Sequence, residues 1–214
     1  MKIGIVGSGG VARTLGGKLA SLGHEVKLGS RSPEKLADWL AGAGANASAG
    51  SFAEAAAHGE VVLNATAGVA SLQALGAAGE ANLEGKILID VANPLDFSRG
   101  MPPTLTVANT DSLGEQIQRA FPRTRVVKAL NTVNAVVMID PQAVAGGEHH
   151  LPICGNDAAA KAQVAEWLEA WFGWKHILDL GDITASRGQE MWLPLWLRLM
   201  GALGTPRFNL RIVQ

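Results

Sequence analysis

The sequence lacks several features that mark other classes of protein. It has no tyrosine and one cysteine, Cys154, so an internal disulfide and a cysteine zinc cluster are both excluded. No apolar run reaches the about eighteen residues of a membrane span. The longest candidate, residues 191–203, is interrupted by Pro194 and Arg198, so we interpret it as a buried or interface helix.

Charge is balanced. Lys and Arg total 18, Asp and Glu total 19, and the net charge is −1, which gives no electrostatic basis for binding nucleic acid or an anionic membrane surface. The opening MKIGIVGSGG has no signal-peptide hydrophobic region. We therefore predict a cytoplasmic protein with no nucleic-acid partner and no membrane partner. At 214 residues it is long enough for one well-filled core.

The first thirty-odd residues carry the strongest motif. Residues Lys2–Val6 form a short apolar run, a GxGxxA motif occupies 7–12, and apolar residues then recur at helical spacing. In a strand–turn–helix unit, Gly7 permits the tight turn, Gly9 lets a pyrophosphate approach the backbone, and Ala12 lets the helix pack on the strand. The helix N-terminus adds free N–H groups. The pattern predicts a dinucleotide site; the alternative is a purely structural turn.

The residues after the second predicted strand, 24–29, indicate which dinucleotide binds. NAD sites place an Asp or Glu there to bind the ribose hydroxyls, but this chain has Ser30, Arg31 and Ser32, with Lys35 one turn into the next helix behind Pro33. These groups suit a 2′-phosphate through charge-assisted hydrogen bonds. We therefore predict NADP rather than NAD. The alternative is an Arg and a Lys on a solvated helix start.

Strands and helices alternate along the rest of the chain. Further strands are predicted at 46–48, 60–65, 86–91, 124–130, 151–155 and 175–180, and helices at 32–43, 51–57, 72–81, 112–121, 158–172 and 187–203. This alternation predicts an α/β fold with a Rossmann-type doubly wound parallel sheet and a small C-terminal helical extension. We expect an NADP-binding domain over 1–150 and an extension over 151–214 that completes the site without folding independently.

Small and polar residues follow the buried strands, where parallel sheets bind ligands. They are Ala65 and Thr66, Asn93, and the segment 131–135. A loop over 94–103 is expected to cover the site, and Asp140 with Pro141 is predicted to begin another helical turn.

For the other candidate functional residues, we favour structural roles. Adjacent His149 and His150 could bind a metal, but loop histidines are more often solvated. Cys154 in a strand is read as a small buried hydrophobe. Five of the six tryptophans lie in the last fifty residues, and we favour core and dimer packing for them over an aromatic wall facing a flat ring.

Several ordered blocks together resemble one family. They are the glycine motif, Ser30, Arg31 and Lys35, LIDVANP at 88–94, VVKALNTVNA at 126–135, PICGND at 152–157 and SRGQEMWLPLWLRL at 186–199. The chain resembles NADP-dependent oxidoreductases that reduce the deazaflavin coenzyme F420 (also written F-420), a family that includes the reductase domain of transmembrane metalloreductases.

The resemblance implies roles for particular residues and often a homodimer. It places Ser8, Ser30, Arg31 and Lys35 on the 2′-phosphate, 9–12 on the pyrophosphate, and Val133 and Ala135 on the nicotinamide. The predicted cofactor-binding set is Gly7, Ser8, Gly9, Gly10, Val11, Ala12, Ser30, Arg31, Lys35, Ala65, Thr66, Asn93, Asn131, Val133 and Ala135. No catalytic side chain and no metal ligand is predicted, because hydride transfer between two rings depends mainly on geometry.

The sequence leaves the identity of the molecule that accepts the hydride open. Asn131 and Asn134 stand where the deazaflavin reductases tend to have His and Pro, whereas the metalloreductase branch also has Asn at the first position. The sequence predicts an NADP-dependent enzyme that passes a hydride between NADPH and a deazaflavin or flavin-type small molecule. An NADPH-dependent ferric or flavin reductase and a non-catalytic NADP(H) sensor are the alternatives.

Overall fold

A computed structural model describes residues 1–214 as ten strands and nine α-helices. The strands are β1 (Lys2–Val6), β2 (Glu25–Gly29), β3 (Ala47–Gly50), β4 (Val61–Asn64), β5 (Ile87–Asp90), β6 (Leu95–Asp96), β7 (Thr104–Leu105), β8 (Arg125–Lys128), β9 (His150–Ile153) and β10 (His176–Asp179). The helices are α1 (Gly10–Ser21), α2 (Ala37–Ala43), α3 (Phe52–His58), α4 (Ser71–Ala78), α5 (Glu80–Leu83), α6 (Leu113–Ala120), α7 (Ala135–Ile139), α8 (Ala158–Phe172) and α9 (Ser186–Leu203). None of these helices combines the length and apolarity needed to cross a lipid bilayer.

The main sheet confirms the predicted fold class. Six parallel strands lie in the order β3-β2-β1-β4-β5-β8. The order reverses beside β1, which is the switch point where doubly wound sheets bind ligands. The glycine turn after β1 therefore opens at that crevice.

Alternating residues of the buried strands pack on opposite faces of this sheet, as the period of a strand requires. Ile5, Leu63 and Ile89 belong to a core cluster that also contains residues of α1 and α8. Val62 and Leu88 belong to a second cluster, with residues of α4 and α6. Because the first cluster joins residues from both sides of position 150, one core spans the predicted division, which itself stays a prediction.

The last two strands depart from a single continuous sheet. β9 and β10 form their own two-stranded parallel sheet, which meets the main sheet only through an isolated antiparallel bridge between Lys128 and Cys154. The strands were recognisable by their apolar runs, but periodicity carries no information on which sheet a strand joins.

Several predicted boundaries also change. The helix expected over 32–43 begins as a 3-10 turn, Pro33–Leu36, and Ser32 makes no side-chain cap bond. The helix expected over 72–81 breaks at Gly79, whose φ is +89°. The predicted loop over 94–103 contains β6, which pairs with β7.

The segment around 131–141 also differs from its prediction. It contains the short helix α7, which was not predicted and which is capped by the Asn134 side chain accepting from the Val136 N–H. The Asp140 side chain makes no cap bond to the 3-10 turn Pro141–Ala143. Five helical residues are too few to show a 3.6-residue period.

One polar row crosses the carboxyl-terminal edge of the sheet. Asn64, Asp90 and Lys128 are direct register neighbours on β4, β5 and β8, and all three are fully buried. The Lys128 ammonium lies 2.7 Å from Asp90 Oδ2 and 2.8 Å from Oε1 of Glu190, on α9. The row therefore attaches the last long helix to the sheet.

The electrostatics of this cluster depend on α6. Burial acts to lower the pKa of Lys128, but the charges of Asp90 and Glu190 outweigh it and raise the pKa above its usual value. With two carboxylates and one ammonium, the cluster has one net negative charge. That charge is offset where Glu190 accepts from the backbone N–H groups of Leu113 and Gly114, at 2.8 and 3.0 Å, at the positive end of α6.

The substitution Lys128→Ala tests this cluster. It leaves two buried carboxylates without their counter-charge, so the free energy of unfolding should fall by about 3 to 5 kcal/mol. Arg123→Ala is the control, because Arg123 pairs with Glu80 and Glu84 at the surface and should cost about 1 kcal/mol or less. Urea denaturation measures both, and equal losses would contradict the assignment.

Candidate functional site

The glycine turn after β1 presents a row of free backbone donors. Gly9 is the N-cap of α1, and the first helical backbone bond beyond it is from Arg13 N–H to Gly9 O. The N–H groups of the three intervening residues, 10–12, therefore lack helical partners. Gly7 has φ +132°, and a Cβ there would lie 2.5 Å from Ala65 O, so the turn requires glycine at that position.

A first cavity of about 490 Å³ opens on one side of this turn. Its lining includes Gly7, Ser8, Gly9, Arg13, Ser30, Arg31, Ser32, Lys35, Ala65 and Thr66. Three basic residues and no acidic residue line it. This is the charge pattern expected for an adenosine ribose carrying a phosphate.

A second cavity of about 550 Å³ opens on the other side. It is lined by Gly9, Gly10, Val11, Ala65, Thr66, Asn93, Asn131, Val133 and Ala135, together with Leu193 and Trp196 of α9 and others. Asp96 is its one ionisable residue, and the Ser98 N–H bound to that carboxylate lowers the pKa of Asp96. The cavity thus offers shape and apolar surface rather than a general acid.

The two cavities adjoin, because Gly9 and the segment 65–67 line both. Each volume falls within the usual range for a small-ligand site. A ligand lying across the glycine turn would place one end in each cavity. An added Cβ at Gly9 or Gly10 would meet no atom within 4 Å, so the space above the turn is open to such a ligand.

Hydrogen bonds hold the shared wall in place. Thr66 Oγ1 donates to Asn64 Oδ1 at 2.8 Å and lies 2.7 Å from Ser71 Oγ. Asn64 Nδ2 in turn donates to Asp90 Oδ1 at 2.8 Å. Thr66 is therefore connected through the polar row to Lys128 and α9.

Asn93 and Asn131 clamp the ends of two neighbouring strands. Asn93 Nδ2 donates to Asn131 O at 2.8 Å, and Asn131 Nδ2 donates to Asn93 Oδ1 at 3.0 Å. Both residues border the second cavity. Their reciprocal bonds fix the part of the cavity lining to which Val133 and Ala135 also belong.

The structure brings nearly all predicted site residues to these two cavities. Ala12 is the exception: it is fully buried in the core and can contribute only its backbone N–H. Two further lining residues were not predicted: Arg13, which lies one helical turn beyond the motif, and Leu193 of α9. Trp196 also lines the second cavity, although packing was the favoured prediction for it. The sequence interpretation also missed Asp90 and Lys128, whose signal was a charged residue at the end of each apolar strand.

The histidine and cysteine predictions have mixed outcomes. His149 is buried rather than solvated, its Nε2 lying 2.9 Å from Pro141 O. No group of three or more candidate ligands for a metal ion occurs in the chain. Cys154 is fully buried, and burial raises the pKa of its thiol to about 12.

The tryptophans divide between packing and the cavity. Trp171 and Trp174 are buried in the core, and Trp167 stacks on Trp171 with centroids 5.4 Å apart. The Trp192 indole donates to Thr132 O. Packing therefore describes these four, whereas Trp196 forms part of the wall of the second cavity.

The cavities fit NADP in both charge and shape. The three basic side chains can hold a 2′-phosphate, and the free N–H groups of α1 can hold a pyrophosphate. The buried serine Ser30 is oriented by accepting from the Ser32 N–H at 3.1 Å. No carboxylate lies where a ribose with free hydroxyls would require one.

Comparisons with known proteins agree with this geometry. Residues 2–94 match the family model for coenzyme F420-dependent NADP oxidoreductases. A crystal structure from Arthrobacter sp. FB24, of a protein whose assigned activity is F420-dependent NADP reductase, is 55% identical, covers 100% of both chains and superposes with a TM-score of 0.96.

Two metalloreductases are also similar. Metalloreductase STEAP3 of Rattus norvegicus is 32% identical over 92% of this chain, and human metalloreductase STEAP2 is 28% identical over 91%. The chain spans only 37% and 36% of their respective lengths.

Arg31→Ala tests the first cavity. Losing a charge-assisted contact to the 2′-phosphate should weaken NADPH binding by about tenfold to a hundredfold and leave NADH binding nearly unchanged. Titration calorimetry with both nucleotides measures this. Lys18→Ala removes the same charge from α1 outside both cavities and should alter neither. An equal loss for NADPH and NADH in Arg31→Ala would place the phosphate elsewhere.

The thiol of Cys154 gives a separate test of burial. Because its pKa is raised to about 12, the thiol stays protonated at mildly alkaline pH and should resist iodoacetamide in the folded protein. Urea-unfolded protein should be alkylated readily, which mass spectrometry detects. Rapid alkylation of the folded protein would show that the strand pair carrying Cys154 opens.

Proposed function

Because the chain belongs to the family of coenzyme F420-dependent NADP oxidoreductases, we propose that it transfers a hydride between NADPH and a deazaflavin or flavin-type acceptor. The observation that carries this proposal is the pair of adjoining cavities, one basic and one mainly apolar, which share Gly9 and residues 65–67. A dinucleotide across the turn would face an acceptor in the second cavity.

Each part of the dinucleotide has a proposed set of partners. Ser8, Ser30, Arg31 and Lys35 hold the 2′-phosphate, and the N–H groups of residues 10–12 hold the pyrophosphate. Val133 and Ala135 border the nicotinamide. Arg13 is a further cation of the first cavity, and its Nε is already directed onto Ser8 O at 3.0 Å.

The bound nicotinamide supplies the hydride, and the residues of this chain supply position. The reciprocal Asn93–Asn131 bonds hold one side of the second cavity, and the Thr66 hydroxyl is fixed by Asn64 and Ser71. The apolar side chains Leu193 and Trp196 of α9 line another side. This arrangement would hold the donor and acceptor rings together against a mainly apolar lining. The lowered pKa of Asp96 makes it a poor acid, and hydride transfer between two rings depends on their positions rather than on an acid from the chain.

A ferric or flavin reductase is the second candidate. The similarity to metalloreductases extends over 92% of this chain, and the family resemblance of the sequence gives that branch an Asn at the position of Asn131. The homodimer stays a prediction.

An acceptor assay tests the function directly. Purified protein with NADPH is mixed separately with coenzyme F420, FMN and ferric citrate, and loss of nicotinamide absorbance is followed. We expect oxidation with the deazaflavin or FMN, and slower oxidation when NADH replaces NADPH. Tight NADPH binding without oxidation by any acceptor would contradict an enzyme and favour the NADP(H) sensor.

A matched pair of variants links the activity to the second cavity. Leu193→Trp adds volume to a residue lining that cavity, so transfer should fall while NADPH affinity persists. Leu195→Trp makes the same change at a side chain that is 54% exposed on the same helix and should leave transfer unchanged. Equal rates in the two variants would mean that the acceptor binds elsewhere.

A further inference from the structure

Trp196 differs from three other tryptophans of this chain, whose indoles are held by hydrogen bonds. Trp39, Trp174 and Trp192 each donate their Nε1–H to a backbone carbonyl at 2.9 to 3.1 Å. Trp196 Nε1 is buried and has no partner. No hydrogen bond therefore fixes the orientation of the one indole that lines the second cavity, and packing alone must do so.

The packing partner is Phe208. The two rings stack with centroids 5.3 Å apart and planes 20° apart, a favourable offset geometry for aromatic pairs. Phe208 reaches this position because α9 ends at Gly204, whose φ of +66° reverses the chain. Residues 205–214, here called the tail, then run back along the molecule.

The tail is held on the far side of Phe208 by polar contacts to the beginning of β9. Asn209 Nδ2 lies 2.8 Å from both His149 Nδ1 and His150 O. The His150 N–H donates to Leu210 O at 3.0 Å, and the Ile212 N–H donates to His150 Nδ1 at 3.2 Å.

The tautomer of His149 fits this attachment. Its Nε2 lies 2.9 Å from the carbonyl of Pro141, which can only accept, so Nε2 carries the proton and Nδ1 is free to accept from Asn209. His149 is itself buried and packs edge-on against Trp174. The attachment point of the tail is thus part of the core.

We propose that Phe208 is a positioning residue: anchored through Asn209, it fixes the orientation of Trp196 and so the shape of the acceptor side of the site. The consequence for the acceptor rests on the proposed function, whereas the effect on Trp196 does not. The tail thereby contributes to binding a planar acceptor, since a fixed indole offers a flat surface on which such a ring can stack.

The first test reads the indole itself. Protein labelled with 5-fluorotryptophan gives a fluorine NMR signal for Trp196, identified by its loss in Trp196→Phe. Phe208→Ala and Asn209→Ala should shift and broaden that signal. Phe208→Tyr retains the ring and should preserve it, as should Arg207→Ala, which changes an exposed tail side chain. An unchanged signal in Phe208→Ala, or an equal change in Arg207→Ala, would overturn the proposal.

The second test separates acceptor from cofactor. In Phe208→Ala, KM for FMN should rise about twofold to tenfold, while the Kd for NADPH and the thermal midpoint stay close to those of Arg207→Ala. A parallel loss of NADPH affinity would indicate general destabilisation and contradict a positioning role. If no acceptor oxidises NADPH in the parent protein, the proposed function fails, and the fluorine signal still decides the role of Phe208.

Discussion

The site depends on one buried ammonium group. Lys128 has no exposed surface and lies between Asp90 on the neighbouring strand and Glu190 on α9. Removing three charges from water is costly, and the geometry compensates through close contacts and through the α6 N–H groups that bind Glu190. The cluster makes the position of α9 relative to the sheet edge specific, which apolar packing alone would leave less defined.

This connection joins the two halves of the site. A chain of contacts runs from Thr66, on the wall shared by both cavities, through Asn64 and Asp90 to Lys128 and Glu190. The glycine turn and its basic cavity are built from residues within 7–77, including those that directly follow β1, β2 and β4 and residues of α4. The second cavity also needs α9, because Leu193 and Trp196 belong to its lining. The adenosine end of the cofactor and the acceptor therefore draw on different parts of one fold.

The cofactor side could be predicted from local sequence. The GxGxxA turn and the Ser30–Arg31 pair follow their strands directly, so their chemistry is visible in a few adjacent residues. The acceptor side could not be predicted in this way. Trp196 and Asn131 are separated by many residues, and their meeting depends on the Lys128 cluster. Periodicity also could not tell that β9 and β10 leave the main sheet, or that His149 is buried behind the tail.

The different demands of the two ligands explain why the sequence identifies the cofactor more clearly than the acceptor. A phosphate demands charge, which three basic side chains without an acid express unambiguously. A flat acceptor demands mainly shape, which many apolar linings provide. Family membership points to redox partners of NADP, and we propose that the α9 side chains Leu193 and Trp196, which line the second cavity, help to select among them.

We propose that a phosphorylated dinucleotide lies across the glycine turn with its two ends in the two cavities. A crystal structure of the protein with bound NADP measures this most directly. We expect the 2′-phosphate within hydrogen-bond distance of Arg31 or Lys35 and the nicotinamide beside Val133 and Ala135. A dinucleotide bound with its adenosine in the second cavity, or a 2′-phosphate directed into solvent away from both basic side chains, would contradict it.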